Sequence, residues 1–111
     1  KAQTSIAKVK YESGDFEQAV LAAQRAIKWG PDFAQSHFWL AKGAHQMGYF
    51  EDALKSYGNA IKLNPDYGDA FYYRGALKIS LEKVDSACED FSHAKRLNVE
   101  GSSIAKKKYC S

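Results

Sequence analysis

Three histidines are the side chains of this sequence best suited to acid–base or metal chemistry: His37, His45 and His93. A catalytic histidine needs a nucleophile within hydrogen-bond reach, and no motif in the sequence assigns a serine or cysteine partner to any of the three. Asp85 and Glu89 are better explained as a solvated helix face than as an acid–base pair. The sequence also contains no HExxH, GxSxG or CxxC motif and no glycine-rich phosphate loop. We therefore expect no enzyme, no metal site and no cofactor.

The composition is that of an ordinary globular domain. The 111 residues carry a formal net charge of +3, and 45% of them are hydrophobic and 26% charged. No apolar run approaches the roughly 20 residues that span a bilayer, and no signal-peptide pattern is present. The mild basic charge does not indicate nucleic-acid binding, and the basic run 106–108 fits a solvated helix end. We expect no membrane insertion and no nucleic-acid partner.

A repeat with a period of 34 residues organises the chain. The stretch GDFEQAVLAAQRAIKWGPD begins at Gly14, and GYFEDALKSYGNAIKLNPD begins at Gly48. A less regular copy, EKVDSACEDFSHAKRLNVE, begins at Glu82. A fixed period of this length indicates a repeat array in which each unit is one supersecondary element.

Each copy predicts a pair of helices. Apolar or small side chains recur at offsets 0, 3, 4, 7 and 10 from Phe16, and again from Phe50 and Val84, which is one face of an α-helix. No stretch alternates with a period of two, so we expect no β-sheet. Further helices are expected at about 2–12, about 33–46 and about 67–81.

Recurring residues also mark the helix ends. Gly30, Asn64 and Asn98 follow the last helical residue of the three copies, where a left-handed backbone conformation is expected. Asp32 and Asp66 stand where the next helix needs an N-cap. These signals predict short connections between antiparallel helices.

In its period, its Ala–aromatic–Ala spacing and its helix-ending prolines, the sequence resembles the tetratricopeptide repeat family. The third copy departs from the family pattern at Arg74, Glu82 and Val99, where the pattern has an apolar residue, glycine and proline. The second copy carries the resemblance best, through Leu40, Ala41, Gly48, Phe50, Ala53, Tyr57, Ala60 and Pro65.

The resemblance implies an all-α fold, an α-solenoid of three antiparallel helix-turn-helix hairpins. A capping helix is expected to cover the last hairpin with Ile104, Ala105 and Tyr109, because the end of a repeat array would otherwise expose an apolar face. The expected organisation is one domain, 1–111, with repeats at about 1–33, 34–67 and 68–100 and the capping helix at about 101–110.

In this family the first helices of successive repeats line a concave groove that holds a protein segment. The resemblance implies a protein-interaction scaffold whose ligand has apolar or aromatic anchors and some acidic groups. Adjacent rings in HFWL and FYYRG favour this function, since two neighbours on a helix cannot both face one core. The alternative is that these rings brace neighbouring helices. The residues assigned to the groove are Lys8, Tyr11, Phe38, Trp39, Lys42, His45, Tyr72, Tyr73 and Ile79.

Some family members grip the acidic C-terminus of chaperones with a clamp of Lys, Asn and Arg side chains. At the matching positions this chain has Thr4, Lys8, Trp39, Asp69 and Tyr73. Only Lys8 could contact a carboxylate, and Asp69 would repel one. We therefore do not expect binding of chaperone tails through that clamp.

Two other functions stay open. The array could self-associate as a homo-oligomer or assemble within a larger polypeptide. RNA binding is the other, since related helical hairpins read nucleotides, although Glu12 and Asp69 in the assigned groove disfavour it.

The two cysteines, Cys88 and Cys110, bear on the compartment. Cys88 lies on the apolar stripe of its helix, and the implied capping helix carries Cys110 towards it. A disulfide would close a loop of 22 residues and contribute about 3 kcal/mol. The ending KKKYCS, together with the upstream stretch ACEDF, also resembles the close of some bacterial repeat proteins of the cell envelope. A bond implies an oxidising, periplasmic or envelope location; two free thiols imply a cytoplasmic one.

Overall fold

The computed structural model describes residues 2–110, and for 2–4 only the backbone is described. These residues form seven α-helices and contain no β-strand, which confirms the predicted all-α class. None of the described helices has both the length and the apolar content needed to cross a bilayer. The helices are α1 (Ala2–Glu12), α2 (Phe16–Trp29), α3 (Ala34–Gln46), α4 (Phe50–Leu63), α5 (Gly68–Ser80), α6 (Val84–Arg96) and α7 (Ser102–Tyr109).

The chain divides into two compact units, which we call unit 1 (Lys1–Asn64) and unit 2 (Pro65–Ser111). Unit 1 holds α1 to α4 and unit 2 holds α5 to α7. The helix bounds lie within one or two residues of the expected ranges, which is the usual uncertainty of helix ends. The assignment of the whole chain to a single domain stays a prediction.

Unit 1 consists of two helical hairpins in contact. The helices α1 and α2 pack together, as do α3 and α4, and α3 also packs on α2 and on α1. Ala19, Ala23 and Ala53 are fully buried, and such small side chains let helix backbones approach closely. Gly43 marks a close approach of α3 to α2, because a Cβ there would lie only 2.7 Å from a methyl group of Val20. The glycine therefore lets α3 lie directly on α2.

Unit 2 is one hairpin, α5 with α6, and α7 packs on α6. Ala87, Phe91 and Ala105 form its buried cluster, and the Tyr109 ring stacks on Phe91 with centroids 6.4 Å apart. Ile104 does not cover the hairpin as predicted, since its side chain is 73% exposed. Ala105 occupies the inward face of α7, and the residue before it points about 100° away around the helix axis.

Two of the three predicted left-handed helix ends are wrong. Gly30 and Asn64 have φ of −149° and −140°, which is extended backbone. The cause is the proline after each of them, Pro31 and Pro65, because its ring pushes the preceding residue into the extended region. Asn98 is not followed by proline, and it adopts the predicted left-handed conformation with φ of 62°.

The turn inside each hairpin needs a left-handed residue. Gly14 and Gly48 supply it in the first two repeats, with φ of 85° and 84°. The third repeat has Glu82 at the same place, with φ of 62°. A residue with a side chain is strained there, so the α5–α6 turn is the least favourable of the three.

The predicted N-caps at Asp32 and Asp66 are also corrected. Both aspartates lie inside turns, and α3 and α5 begin two residues later. The N-cap positions are Phe33 and Tyr67, and neither side chain makes a capping hydrogen bond. The proline before each aspartate starts the turn, which moves the helix start along the chain.

Candidate functional site

Four of the predicted groove residues come together on unit 1. The Lys42 ammonium lies 4.6 Å from the ring centroid of Tyr11, 5.5 Å from that of Trp39 and 5.7 Å from that of Phe38. These distances allow cation–π attraction to each ring. We call this set, Tyr11, Phe38, Trp39 and Lys42, the aromatic cluster.

The two helices that carry the aromatic cluster are held together at that point. Trp39 and Lys42 are three residues apart on α3, so their side chains share one face. The Tyr11 ring at the end of α1 lies 5.5 Å from the Trp39 ring, and the amide of Gln46 donates a 3.3 Å hydrogen bond to the Tyr11 hydroxyl. Tyr11, Trp39 and Lys42 are all half-buried, so each keeps part of its surface for contact.

Phe38 is a correction to the predicted groove. Its side chain is only 4% exposed, and its ring lies 5.1 Å from Trp39 and 6.2 Å from Tyr57, both edge-on. Of the two adjacent rings in HFWL, Phe38 is buried, whereas Trp39 packs on the cluster of Ala7, Ala22 and Ala23 and keeps part of its surface exposed. Phe38 supports the aromatic cluster from below and is not a free anchor for a ligand.

His45 lies next to the aromatic cluster, one turn after Lys42. Its Nδ1 is 3.4 Å from the buried Tyr57 hydroxyl, and its ring is edge-on to Phe50 at 6.0 Å. Burial, and secondarily the charge of Lys42, lowers the pKa of His45 below its usual 6.5. The imidazole is therefore mostly neutral near pH 7.

Lys8 adds a positive charge on the same side of α1 as Tyr11. The two residues are three positions apart, which places them on one helix face. The Lys8 side chain is exposed. Unit 1 thus carries Lys42 among the rings and an exposed Lys8 on α1, and the role of these residues as a groove stays a prediction.

The predicted groove residues of unit 2 are partly occupied by packing. Tyr72 and Ile79 lie against the cluster of Ala87, Phe91 and Ala105, which is the bracing role that the alternative interpretation allows. The half-buried Tyr73 ring is edge-on to Tyr72 at 5.2 Å. The ligand-facing role of Tyr72, Tyr73 and Ile79 stays a prediction.

The sequence reasoning missed a buried ionic group between α5 and α6. Arg74 donates two hydrogen bonds to the Asp90 carboxylate, at 2.9 and 2.8 Å. The Lys78 ammonium lies 3.0 Å from the same carboxylate and donates a 2.7 Å hydrogen bond to the Ser86 hydroxyl. Only 3% of the Asp90 side chain is exposed, so its charge is neutralised inside the unit.

A signal for this ionic group exists in the repeat register. One period earlier, Arg74 corresponds to Leu40 and Asp90 to Ser56. A cation and an anion therefore replace an apolar and a small residue in the same repeat. The difference of Arg74 from the family pattern does not by itself predict the ion pair, because the partner, Asp90, lies on the other helix.

The structure bonds Cys88 of α6 to Cys110, directly after α7, with their Cα atoms 5.8 Å apart. The bond ties the end of the capping helix to the last hairpin. The other two histidines contact different residues. His93 stacks on Phe71 with ring centroids 4.7 Å apart, and His37 donates a 2.8 Å hydrogen bond to the Pro31 carbonyl. Across the described residues, no three His, Cys, Asp or Glu side chains gather as a metal site would require.

Comparison with protein families gives two adjoining matches. A model described as tetratricopeptide repeat matches residues 4–46, and one described as TPR repeat matches residues 44–81. The two matches together run through the first two predicted repeats and into the third. A comparison with curated proteins returned no significant match.

Solved structures with the same fold are numerous. The Arabidopsis OM64 TPR domain has a TM-score of 0.92 at 22% identity, covering 97% of this chain and 91% of that chain. The first TPR of Spaghetti (RPAP3), bound to HSP90 peptide SRMEEVD, has a TM-score of 0.91 at 19% identity, covering 97% of this chain and 87% of that chain. The second TPR of Spaghetti, bound to the same peptide, has a TM-score of 0.82 at 25% identity, covering 86% of this chain and 89% of that chain. These likenesses support the predicted helical-repeat class.

Proposed function

Because the chain belongs to the tetratricopeptide repeat family, we propose that it is a non-enzymatic interaction module that binds a peptide or protein segment. Both TPR domains of Spaghetti are described as bound to an HSP90 peptide. The second TPR domain of human RPAP3 is described in complex with an HSP70 peptide. Peptide binding by similar folds supports the same general activity here.

The observation that carries the proposal is the aromatic cluster. Half-buried rings at Tyr11 and Trp39 offer apolar area with few rotatable bonds, which suits them to anchor a ligand. Lys42 places positive charge beside the rings, and the exposed Lys8 lies three residues before Tyr11 on α1. The favoured ligand is a segment with an aromatic or large apolar anchor and a nearby acidic group.

The proposed ligand differs from the chaperone tail SRMEEVD. Clamping that tail requires several donors for its carboxylates, and among the matching positions of this chain only Lys8 is a cation. Trp39 stands at one of the other positions and supplies a ring instead. We expect this protein to select its ligand mainly by apolar contact, with charge in a supporting role.

A selection from a displayed peptide library tests the proposal. We expect enriched peptides to combine an aromatic or large apolar residue with acidic neighbours. Lys42→Gln and Tyr11→Ala should each weaken the best peptide about tenfold, equivalent to about 1.4 kcal/mol. Trp29→Ala is the matched control, because this ring is 87% exposed at the end of α2 and should leave binding unchanged.

The results separate the parts of the proposal. Failure to enrich any peptide would remove the interaction function, whereas peptides insensitive to Lys42→Gln and Tyr11→Ala would move it away from the aromatic cluster. Tight binding of SRMEEVD would retain the function and overturn the ligand chemistry. Circular dichroism of each variant checks that the helices remain intact.

We also propose that the protein works in an oxidising compartment, such as a periplasm or cell envelope. The bond between Cys88 and Cys110 supports this, because disulfides persist where thiols are not kept reduced. Alkylation of protein from its source cells before lysis, followed by mass analysis, should find both cysteines unmodified. Alkylated Cys88 and Cys110 would place the protein in a reducing compartment.

A further inference from the structure

A cleft of about 510 Å³ lies on unit 2, where the end of α6 meets α7. It is lined by Lys95 of α6, by Ser103, Lys106 and Lys107 of α7, and by Cys110. The disulfide therefore reaches the cleft through Cys110, which is half-buried, whereas its other cysteine takes no part in the lining. A small reagent in the cleft has access to one of the two sulfurs.

The charge of the cleft is positive. Lys95, Lys106 and Lys107 contribute three ammonium groups, and none of the described lining residues is acidic. A cleft lined by charges of one sign concentrates ions of the opposite sign and speeds their encounter. An anionic reagent is thus drawn towards Cys110, and a cationic one is repelled.

The negative groups of the neighbouring helices do not cancel this charge. The acidic residues of α6 are Asp85, Glu89 and Asp90, and none of them lines the cleft. Glu89 and Asp90 line a separate cleft between α5 and α6 instead. Cys110 follows the last residue of α7, where the helix dipole contributes about half a negative charge. Three ammonium groups outweigh that contribution.

We propose that Cys110 is a thiol-exchange site for a low-molecular-weight thiol that carries negative charge besides its sulfur, such as a thiol peptide with free carboxylates. The attacking thiolate bonds to Cys110 Sγ, the bond between the two cysteine sulfurs breaks, and its electron pair leaves on Cys88 as a thiolate. The products are a mixed disulfide at Cys110 and a free Cys88 thiolate. Exchange opens the covalent tie between α7 and α6 and depends on neither the aromatic cluster nor peptide binding.

Exchange with three thiols of different charge tests the site. Besides the sulfur, mercaptoethanesulfonate carries a negative charge, mercaptoethanol carries none and thiocholine carries a positive charge. Each rate constant near pH 7 is corrected for the thiolate fraction and divided by the rate constant with an uncharged reference disulfide. At about 0.1 M salt, the sulfonate should be favoured over thiocholine about tenfold. Acid quenching and peptide mass analysis should find the mixed disulfide on Cys110 and the free thiol on Cys88.

Removing the three cations tests their part in the exchange. Lys95→Gln, Lys106→Gln and Lys107→Gln together should lower the preference for the sulfonate to about threefold or less. The rate constant with mercaptoethanol should stay nearly the same, because access to the sulfur is unchanged. Circular dichroism checks that the helices remain intact, and Lys107→Gln alone, at an exposed residue, should give an intermediate preference.

A matched control removes the same net charge elsewhere. Lys28→Gln, Lys55→Gln and Lys62→Gln change three exposed lysines of unit 1 that do not line the cleft, and the preference for the sulfonate should persist. An equal loss in both triple variants would assign the effect to the net charge of the protein and overturn the site. A mixed disulfide on Cys88, no preference among the thiols, or a rate that stops rising with thiol concentration because unfolding limits it, would each overturn it as well.

Discussion

Glu82 is a strained residue in the turn between α5 and α6 of the third repeat. It occupies a turn position that is glycine in the other two repeats, with φ of 62°. We expect Glu82→Gly to raise the free energy of unfolding by about 0.5–1 kcal/mol, since glycine adopts this conformation freely but loses more chain entropy on folding. Urea denaturation measures the change. Gly48→Ala, at φ of 84°, is the opposite control and should destabilise; a neutral or destabilising Glu82→Gly would show that the turn is unstrained.

His45 gives the protein a predictable response to acid. Its pKa is lowered in the folded state by burial and then by Lys42. Well above pH 6.5 the side chain is mostly neutral in both states. As the pH falls below that value, the unfolded chain takes up a proton that the folded chain still resists, so stability decreases until the folded pKa is passed. The free energy of unfolding measured from about pH 7.5 to 5 should therefore fall less steeply in His45→Gln; an unchanged slope would contradict the assignment, because His37 and His93 are common to both proteins.

At the scale of elements, the Arg74–Lys78–Asp90 group joins α5 to α6 by charge where the second repeat uses apolar and small residues. Removing one partner of a buried ionic group leaves charge uncompensated, so Asp90→Ala should cost about 3 kcal/mol. Replacing all three by the second-repeat residues, as Arg74→Leu, Lys78→Ala and Asp90→Ser, should bring stability back to within about 1 kcal/mol of the native protein. Chemical denaturation of the three proteins measures both values. A triple variant as unstable as Asp90→Ala would mean that the ionic group is needed for packing and not merely tolerated.

The helices were predictable from the sequence because their signals are local and repeat three times. Apolar spacing placed α2, α4 and α6, and the recurring prolines placed the connections. What the sequence did not predict depends on contacts between helices or on coupling between neighbours. The extended backbone of Gly30 follows from the proline after it, which a rule for single residues overlooks. The burial of Phe38 and the pairing of Arg74 with Asp90 depend on which faces of two helices meet.

The packing of the predicted groove residues could be predicted only in part from the sequence, and their role in binding stays a prediction. Adjacent aromatics on one helix required one ring to face outward, and the sequence alone could not say which. The helix contacts bury Phe38 against Tyr57 and leave Trp39 half-buried, against Tyr11 and the Ala22–Ala23 part of the core. The repeat positions of the family assign Lys42 to the groove. Its position among three rings depends on how the helices pack against one another.

For the molecule as a whole, the net charge of +3 should influence how fast a ligand arrives more than how long it stays. A positive protein attracts an acidic peptide over a distance that salt shortens, to about 10 Å at 0.1 M. The association rate constant of the selected peptide should therefore fall several-fold between about 0.05 and 0.5 M salt, while its dissociation rate constant changes little, because the proposed binding mode holds the peptide by apolar contacts at Trp39 and Tyr11. Surface plasmon resonance separates the two rates. If the dissociation rate constant and not the association rate constant changes with salt, ion pairs and not rings hold the ligand. Strongly salt-dependent binding of single-stranded RNA would instead favour the nucleic-acid alternative.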